Sequence, residues 1–251
     1  MKQKNYSKNK IYFIGAGPGD LGLITVKGVE KLKKAECVIY DYLVNKRLLK
    51  YVTKGTDLIN ADTVRNTFSD GFTKQQDKLN RLIVEKAKKY KTVVRLKNGD
   101  PVMFGRLNEE IDVLIKNKID FEIIPGVTAA SSAAAELKIG LTKTKIAPVV
   151  SFITGHENPF NKDSSVEFKK LPKLGTLVFY MAVKNISKIT EKLIKLGWNK
   201  NTYCGIVEKA GFSGKKRWIG KLKDIKKSSI AVKPPAVFFV GDVLKYAIKK
   251  K

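Results

Sequence analysis

Cysteine and histidine are scarce in this chain of 251 residues, which has two cysteines and one histidine. Cys37 and Cys204 each lie in or beside an apolar, strand-like run, so we expect buried thiols and no disulfide. His156 is the single histidine, and so few Cys and His side chains make a structural zinc site an unfavourable interpretation. The sequence therefore predicts a functional site without a metal ion.

Long hydrophobic runs are also absent. Apolar runs such as residues 37–40 and 236–240 have the length of strands, whereas a helix that crosses a bilayer needs about 20 apolar residues. Residues 1–10 are rich in Lys and Asn and lack the apolar stretch of a secretory signal. We therefore expect a soluble, cytoplasmic protein without a membrane partner, and a disordered basic tail over residues 1–10.

Acidic residues are few beside basic ones. The chain has 50 Lys and Arg against 23 Asp and Glu, which gives a formal net charge of +27. Lysine supplies nearly all of the positive charge and is spread along the whole chain. Because base-specific proteins favour arginine, a nucleic-acid partner is not the preferred interpretation. Lys, Ile and Asn share AT-rich codons, so genome bias explains the surface as well as capture of an anionic ligand does.

Strand-like and helix-like segments alternate along the chain, and most strands end in a loop with Gly or Asp. This pattern predicts an α/β fold with mainly parallel or mixed sheets, in which ligands bind beyond the carboxyl ends of the strands. We expect a first lobe over residues 11–124 and a second over residues 125–248. The predicted strands are 11–14, 36–40, 92–96, 121–124, 149–154, 177–181, 202–207 and 236–240. The predicted helices include 78–88, 108–117, 127–137 and 186–196, with a lysine-rich hairpin over 215–225. Another helix is predicted after the first strand, with Thr25 near its start and helical spacing of Leu23, Val26, Val29 and Leu32. The helix 78–88 is predicted to be amphipathic, with its inward residues Leu79, Leu82, Ile83 and Ala87.

The first strand ends in a glycine-rich loop, residues 15–20 (Gly-Ala-Gly-Pro-Gly-Asp). A dinucleotide fingerprint would need glycine at position 20, where Asp20 stands, and Pro18 lacks a backbone donor. The loop therefore lets a ligand approach the backbone but suits a phosphate poorly. Taken alone, a tight turn between strand and helix explains it equally well.

Other strand ends carry polar residues with two interpretations each. Asp100 is able to accept hydrogen bonds from ribose hydroxyls, or to start a type I turn with Pro101. Thr128 fits a ligand contact or a helix cap, and Asp41 fits a catalytic carboxylate or a loop cap. The sequence has no Ser/His/Asp nucleophile set, P-loop or HExxH motif. We therefore expect a cosubstrate to supply the chemistry, while the protein positions the reactants.

Taken in order, these loops resemble those of the tetrapyrrole methyltransferases. Residues 11–20 and 23–27 look like the opening of that family. Residues 40–44 (Tyr-Asp-Tyr-Leu-Val) and 95–106 (Arg-Leu-Lys-Asn-Gly-Asp-Pro-Val-Met-Phe-Gly-Arg), followed by Glu109 and Glu110, resemble its uroporphyrinogen-III C-methyltransferase branch. Residues 125–131, 140–142, 152–156 and 179–181 continue in the family's order, so the resemblance covers about residues 11–247.

The resemblance implies two α/β lobes with S-adenosylmethionine in the cleft between them, usually as a homodimer. Asp41 is the implied acid/base residue, and Arg106 is implied to hold substrate carboxylates. The implied reaction transfers methyl groups to C-2 and then C-7 of uroporphyrinogen III, giving precorrin-2 and S-adenosylhomocysteine. The residues implied to contact the methyl donor are Pro18, Asn98, Gly99, Asp100, Met103, Thr128, Ala129, Met181 and Ala210.

The chain departs from the branch at several positions. Asn98 replaces a glycine, and Leu107 and Asn108 replace a pair of glycines. The Gly-Lys-Arg segment that carries a proton-donor lysine is not recognisable in residues 60–65, so no such lysine is assigned. Residues 142–144 read Thr-Lys-Thr where the branch has Thr-His-Arg. Two alternatives stay open: a precorrin methyltransferase of corrin synthesis, or a basic RNA-directed protein with the same fold.

Overall fold

A computed structural model describes residues 9–65, 72–225 and 231–247. The chain divides into two compact units, Met1–Thr128 and Ala129–Lys251. Outside the described residues lie 1–8 of the expected tail, 66–71 of the expected first lobe, and 226–230 and 248 of the expected second lobe. Lys10, which the sequence placed in the tail, is the first residue of a strand.

The first unit is built on five strands: β1 (Lys10–Gly15), β2 (Cys37–Tyr40), β3 (Asp57–Asn60), β4 (Thr92–Lys97) and β5 (Asp120–Ile124). All neighbours are parallel, in the order β3-β2-β4-β1-β5. Phe13 and Ile14 point to opposite faces of β1, and both are fully buried. Burial on both faces is typical of a parallel sheet that helices cover on both sides.

The helices of the first unit are α1 (Val26–Lys33), α2 (Ala61–Arg65), α3 (Phe72–Lys89) and α4 (Leu107–Lys116). Helices α3 and α4 share a hydrophobic core with Phe13, whereas α1 shares another with Ile14. The two groups of helices therefore cover opposite faces of the sheet. The residues of α3 that the sequence directs inward are buried or partly buried, as predicted: Leu79, Leu82, Ile83 and Ala87.

Helix α1 begins later than its hydrophobic spacing suggests. Leu23 lies in a separate 3-10 turn, Leu21–Leu23. Thr25 Oγ1 accepts a hydrogen bond from the amide of Gly28 at 3.1 Å, so the predicted position of Thr25 near the start of the helix is confirmed. Val26 is 77% exposed and does not belong to the buried face, which corrects the interpretation from spacing. The sequence interpretation also missed β3 and α2, because four- and five-residue elements show too little periodicity to be detected.

The second unit has helices α5 (Ala129–Leu137) and α6 (Ile186–Lys195) and strands β6 (Val150–Thr154), β7 (Thr176–Tyr180), β8 (Tyr203–Glu208), β9 (Lys216–Lys221) and β10 (Ala236–Val240). Their order is β6-β7-β10-β8-β9. Only β6 and β7 are parallel; the other neighbours are antiparallel. The second sheet is therefore mixed, and the lysine-rich stretch supplies β9, which pairs with β8. Further 3-10 helices are Lys46–Tyr51, Phe168–Lys170, Val183–Asn185, Leu222–Asp224 and Asp242–Tyr246.

Both cysteines are free and buried, which confirms the expectation of structural thiols. Burial raises the pKa of Cys37 and Cys204 to about 12. Because the thiolate is the reactive form, neither side chain is suited to act as a nucleophile at neutral pH. Among the helices in the described ranges, none is long and apolar enough to cross a membrane.

The connections of the first sheet create a switch point at one pair of neighbouring strands. The chain leaves β1 toward β2, on the far side of β4, and it leaves β4 toward β5, on the far side of β1. The two connections therefore run in opposite directions along the sheet, and the helices that follow them, α1 and α4, pack on opposite faces. In open α/β sheets, ligands bind beyond the carboxyl ends of the strands at such a switch point.

Candidate functional site

Three loops meet at the carboxyl edge of the first sheet because their contact points are glycines. Gly15 ends β1, Gly99 follows β4 and Gly126 follows β5. A Cβ atom on Gly15 would lie 2.5 Å from Gly126 Cα and 2.7 Å from Gly99 O, and one on Gly126 would collide with Gly99 O. No side chain fits at either position, so the loops pack backbone against backbone.

A short antiparallel bridge joins the first two of these loops. Gly17 N donates to Gly99 O at 3.1 Å, and Gly99 N donates to Gly17 O at 2.8 Å. Asn45, in the loop after β2, donates from Nδ2 to Gly19 O at 2.7 Å. Gly17 and Gly99 have φ angles of +73° and +65°, which glycine adopts without strain. The glycine-rich loop is therefore fixed by hydrogen bonds to the loops after β4 and β2.

The loop after β4 holds four of the residues predicted to contact the methyl donor: Asn98, Gly99, Asp100 and Met103. Asp100 Oδ1 accepts a hydrogen bond from Val102 N at 3.2 Å, and Asp100 O accepts one from Met103 N at 3.1 Å. The loop thus contains a turn at Asp100, as one of the two interpretations from sequence required. Asn98 Oδ1 is buried and, within the described part of the chain, has no hydrogen-bond partner. A buried acceptor without a partner is costly, and a ligand that donates a hydrogen bond would satisfy it.

Pro18 and Thr128 stand at two other carboxyl ends of the same sheet. Pro18 is buried in the loop after β1. Thr128 immediately precedes α5, the position from which a threonine caps a helix, so its two interpretations both remain compatible with its place. Ala129 is the first residue of α5 in the second unit.

Of the seven residues other than glycine that have a positive φ angle in the described ranges, four lie in loops that follow strands. Phe104 and Arg106 lie after β4, Met181 directly after β7 and Lys209 directly after β8; their φ angles lie between +50° and +56°. Residues with a Cβ adopt this left-handed conformation at a cost, and such residues cluster at functional sites. Arg106 is exposed at the start of α4, where a positive side chain is accessible to ligands.

The two remaining predicted contacts lie in the second unit. Met181 is 51% exposed and therefore is not part of the core, although an apolar residue at the end of a strand is more often a core residue than a ligand contact. Ala210, two residues after the end of β8, is 7% exposed and belongs to a hydrophobic core cluster of the second unit. Its neighbour Glu208 accepts a hydrogen bond through Oε1 from Lys233 N at 3.1 Å.

Asp41, the predicted acid/base residue, lies at the end of a chain of charged side chains in the first unit. Arg95 Nη2 lies 2.5 Å from Asp41 Oδ1 and 3.1 Å from Glu110 Oε1. Lys97 Nζ lies 2.9 Å from Glu110 Oε2. Two cations and two carboxylates therefore alternate in space. We call Arg95, Glu110, Lys97 and Asp41 the buried charge network.

The sequence interpretation assigned no role to three members of this network, although it contained a signal for them. Arg95 and Lys97 are two residues apart in an apolar strand and therefore share one face of the sheet. Glu110 lies three residues after Leu107 and four before Leu114, on the buried stripe of α4. A charged residue at a position that periodicity assigns to the core usually has a charged partner there.

The network sets the pKa values of its two cations in opposite directions. Burial opposes the charged form of Arg95, but Asp41 and Glu110 outweigh it and hold the pKa of Arg95 above its ordinary value. Burial, and next the charge of Arg95, lower the pKa of Lys97 to about 8, although Glu110 and Asp41 offset part of this effect. Lys97 is therefore the member whose charge changes near physiological pH.

Comparisons with known proteins show similarity to one family along nearly the whole chain. The family model described as tetrapyrrole (corrin/porphyrin) methylases matches residues 10–226. The S-adenosyl-L-methionine-dependent uroporphyrinogen III methyltransferase of Methanosarcina barkeri is 37% identical over 245 residues, which cover 96% of this chain and 93% of that protein.

Solved structures show the same similarity in three dimensions. The uroporphyrin-III C-methyltransferase of Thermus thermophilus, complexed with S-adenosylhomocysteine, aligns with a TM-score of 0.79 at 28% identity and covers 96% of both chains. A cobalt precorrin-4 methyltransferase aligns with a TM-score of 0.80 at 27% identity and covers 97% of this chain and 99% of that one. Similarity of fold alone therefore does not distinguish the substrate of the uroporphyrin-III enzyme from that of the cobalt precorrin-4 enzyme.

Gly126→Ala tests the convergence of the three loops. We expect it to lower the free energy of unfolding by about 3 kcal/mol, because the new Cβ would collide with Gly99 O and neither backbone segment is able to retreat easily. Urea unfolding measures this change. The matched control is Gly22→Ala, where the nearest atom is Asp20 Oδ1 at 3.4 Å and an alanine fits. Equal stability of the two variants would contradict the close approach.

Lys97→Met tests the buried lysine through the pH dependence of stability. Folded Lys97 loses its proton near pH 8, whereas an unfolded lysine keeps it up to about pH 10.5. Between these values the unfolded state binds more protons, so Lys97 makes the free energy of unfolding rise with pH. The stability of the native chain relative to the variant should therefore increase by about 2 to 3 kcal/mol from about pH 7 to about pH 10.5.

The control for this experiment is Lys86→Met. A hydrogen bond to Asp57 raises the pKa of Lys86, so its contribution to stability is fully present below about pH 10.5 and the difference from the native chain should stay constant over the same range. The buried cysteines are present in all three proteins, and their titration cancels in the differences. A constant difference for Lys97→Met as well would refute the lowered pKa.

Proposed function

Because the chain belongs to the tetrapyrrole (corrin/porphyrin) methylase family, we propose that it is a uroporphyrinogen-III C-methyltransferase. It transfers two methyl groups from S-adenosylmethionine to C-2 and C-7 of uroporphyrinogen III, and the products are precorrin-2 and S-adenosylhomocysteine. The observation that carries this proposal is the similarity to the Methanosarcina barkeri enzyme along nearly the full length of both chains. Precorrin-2 serves the synthesis of siroheme and cobalamin.

The carboxyl edge of the first sheet fits the adenosyl and amino-acid groups of the methyl donor. The glycine contacts leave backbone without side chains at the switch point, and Asn98 Oδ1 is an unsatisfied acceptor there. Asp100 and Asn98 supply acceptors for ribose hydroxyls and an ammonium group. Pro18, Gly99, Met103 and Thr128 complete the proposed contacts of this unit, and Ala129, Met181 and Ala210 are the proposed contacts of the second unit.

The methyl donor supplies an activated methyl group, and the protein contributes positioning and proton transfer. When a pyrrole carbon gains a methyl group, the ring becomes positively charged, and loss of a proton restores neutrality. The Asp41 carboxylate is the proposed acceptor of that proton, because it stands at the end of β2 and keeps 20% of its side chain exposed. The resemblance assigns this role to Asp41, and the charge network gives it a physical basis.

The positive charge of the protein suits a substrate with eight carboxylates. Arg106 is exposed, directly follows the proposed donor loop and is the proposed contact for one or more of them. A net charge of +27 raises the local concentration of a polyanion in the same way. The proposal also includes a homodimer in the cytoplasm, since the resemblance implies a dimer and the sequence has no long apolar run.

Uroporphyrinogen III itself provides the direct test. Purified protein is incubated anaerobically with S-adenosylmethionine and the substrate, and the tetrapyrroles are followed by mass after oxidation. We expect a product heavier by two methyl groups, together with two equivalents of S-adenosylhomocysteine. If this substrate stays unmethylated while a later corrin precursor gains a methyl group, the alternative activity in corrin synthesis replaces the proposal. Salt-sensitive binding of RNA without any methyl transfer would favour the RNA-directed alternative.

Asp100→Ala tests whether the loop after β4 binds the methyl donor. We expect S-adenosylhomocysteine to bind about 10-fold more weakly or worse, because the variant loses a charged hydrogen-bond acceptor. Isothermal titration calorimetry measures the affinity, and the melting temperature checks that the protein still folds although Val102 N loses its acceptor. Asp112→Ala, which removes an exposed carboxylate from α4, is the matched control and should bind like the native protein. Equal affinity of the two variants would remove Asp100 from the site.

A further inference from the structure

We propose that Arg95 is a positioning residue, which together with Glu110 and Lys97 fixes the Asp41 carboxylate in the orientation that proton transfer requires. This inference rests on the proposed function, because it concerns the carboxylate that accepts the substrate proton. It adds three residues to the catalytic apparatus, none of which needs to touch the substrate or the methyl donor.

The four side chains of the buried charge network differ in their exposure to solvent. Arg95 and Glu110 are fully buried and Lys97 is 2% exposed, whereas 20% of the Asp41 side chain is exposed. Asp41 is therefore the single member through which this network meets solvent or a ligand. The other three form a buried base behind it.

Arg95 is held so firmly that its guanidinium acts as a fixed point. Its Nε donates to Glu110 Oε1 at 3.2 Å, and its Nη1 donates to the carbonyl oxygens of Ile39 and Leu96 at 3.4 and 3.3 Å. The remaining nitrogen, Nη2, donates to Asp41. Because the guanidinium is planar, fixing three of its directions also fixes the direction of the fourth hydrogen bond.

The backbone holds Asp41 at the same place. Asp41 N donates to Leu96 O at 3.2 Å, the carbonyl oxygen that also accepts from Arg95. Next to it, Tyr42 N donates to Asp62 Oδ2 at 2.7 Å. Among the described residues, the charged groups near Asp41 include Arg95 and Lys97 from β4, Glu110 from α4 and Asp62 from α2. Both the main chain and the carboxylate of Asp41 are tied to β4.

Stability does not explain why this network exists. Burying a charged group is costly, and replacing a buried ion pair by apolar residues is often neutral or stabilising. Arg95 and Lys97 occupy positions of β4 whose side chains face the core of α3 and α4, where Val93 is apolar and buried. A sequence selected for stability alone would place apolar residues there. A requirement for one orientation of Asp41 accounts for the charges.

Glu110 and Lys97 have the role of balancing Arg95. With one carboxylate alone, Arg95 and Lys97 would leave an excess buried positive charge beneath the site. Glu110 contacts both cations, through Oε1 and Oε2, and so connects them. Lys97 in turn keeps Glu110 from drawing Arg95 away from Asp41, because Glu110 shares its charge between two partners.

A double-mutant cycle tests the proposal. Asp41→Asn, Arg95→Lys and the double variant are compared with the native protein in the anaerobic assay. Lysine keeps the positive charge at position 95 but is unable to bridge two carboxylates and two carbonyl oxygens. We expect Arg95→Lys to lower kcat about 10-fold with little change in KM, and Asp41→Asn to lower kcat about 100-fold.

The decisive measurement is the change in kcat that Arg95→Lys causes in the Asp41→Asn background. If Arg95 acts through Asp41, adding Arg95→Lys to Asp41→Asn changes kcat by less than about 2-fold. If Arg95 only supports the fold, its 10-fold effect is retained in the double variant, and the proposal is overturned. The acid limb of the pH–rate profile should also move to higher pH in Arg95→Lys, because a less well placed cation favours the charged carboxylate less. An unmoved limb would count against the proposal.

Two further proteins keep the test decisive. If Arg95→Lys does not fold, Glu110→Asp replaces it. This variant keeps the charge but shortens the side chain, and its effect on kcat should likewise vanish in the Asp41→Asn background.

Lys86→Met is the control variant. It removes a partly buried ion pair with Asp57 at the opposite edge of the sheet and should leave kcat unchanged. Failure of the proposed function shows in the native protein as an absence of methylated product, whereas failure of this inference shows only in the cycle.

Discussion

Arg95 is the residue on which the arrangement of the proposed catalytic edge depends. A fully buried guanidinium is tolerated only with charged partners, and here Asp41, directly after β2, and Glu110, in α4, are those partners. Arg95 also donates to a carbonyl oxygen of β2, so one side chain connects the end of that strand, its own strand and the helix that follows. The loops after β2 and β4, which carry Asp41 and the proposed donor contacts, therefore start from a common fixed base.

Glycine imposes the second constraint. Gly15, Gly99 and Gly126 allow the loops after three strands to touch backbone to backbone, while the connections of β1 and β4 run in opposite directions along the sheet from the same point. Open α/β sheets bind ligands at such a switch point, and the glycines keep it free of side chains. Phe104 and Arg106, which adopt strained positive φ angles, lie a few residues after Gly99 in the chain. Topology, close packing and strain thus coincide at one edge of the sheet, the place where α/β proteins bind ligands.

Much of this was accessible from the sequence, because apolar runs bounded by Gly, Pro and Asp are a strong local signal. The run at Ala236–Val240 was predicted with the bounds that the structure shows. The short edge strand Asp57–Asn60 was missed because two central apolar residues do not establish a period. The charge network was missed for a different reason: the two carboxylate partners of Arg95, Glu110 and Asp41, lie 15 and 54 residues away along the chain, and the fold brings them together. The methyl donor and the substrate were predicted from the order of several motifs along the chain. No single loop distinguishes a methyl donor from another ligand.

The central claim is that S-adenosylmethionine binds at the carboxyl edge of the first sheet. A crystal structure of the protein with S-adenosylhomocysteine tests it most directly. The account predicts that the bound molecule lies against Pro18 and Gly99 and donates a hydrogen bond to the buried Asn98 Oδ1, which has no partner among the described residues. A product molecule bound elsewhere, with Asn98 Oδ1 still unsatisfied, would contradict the account.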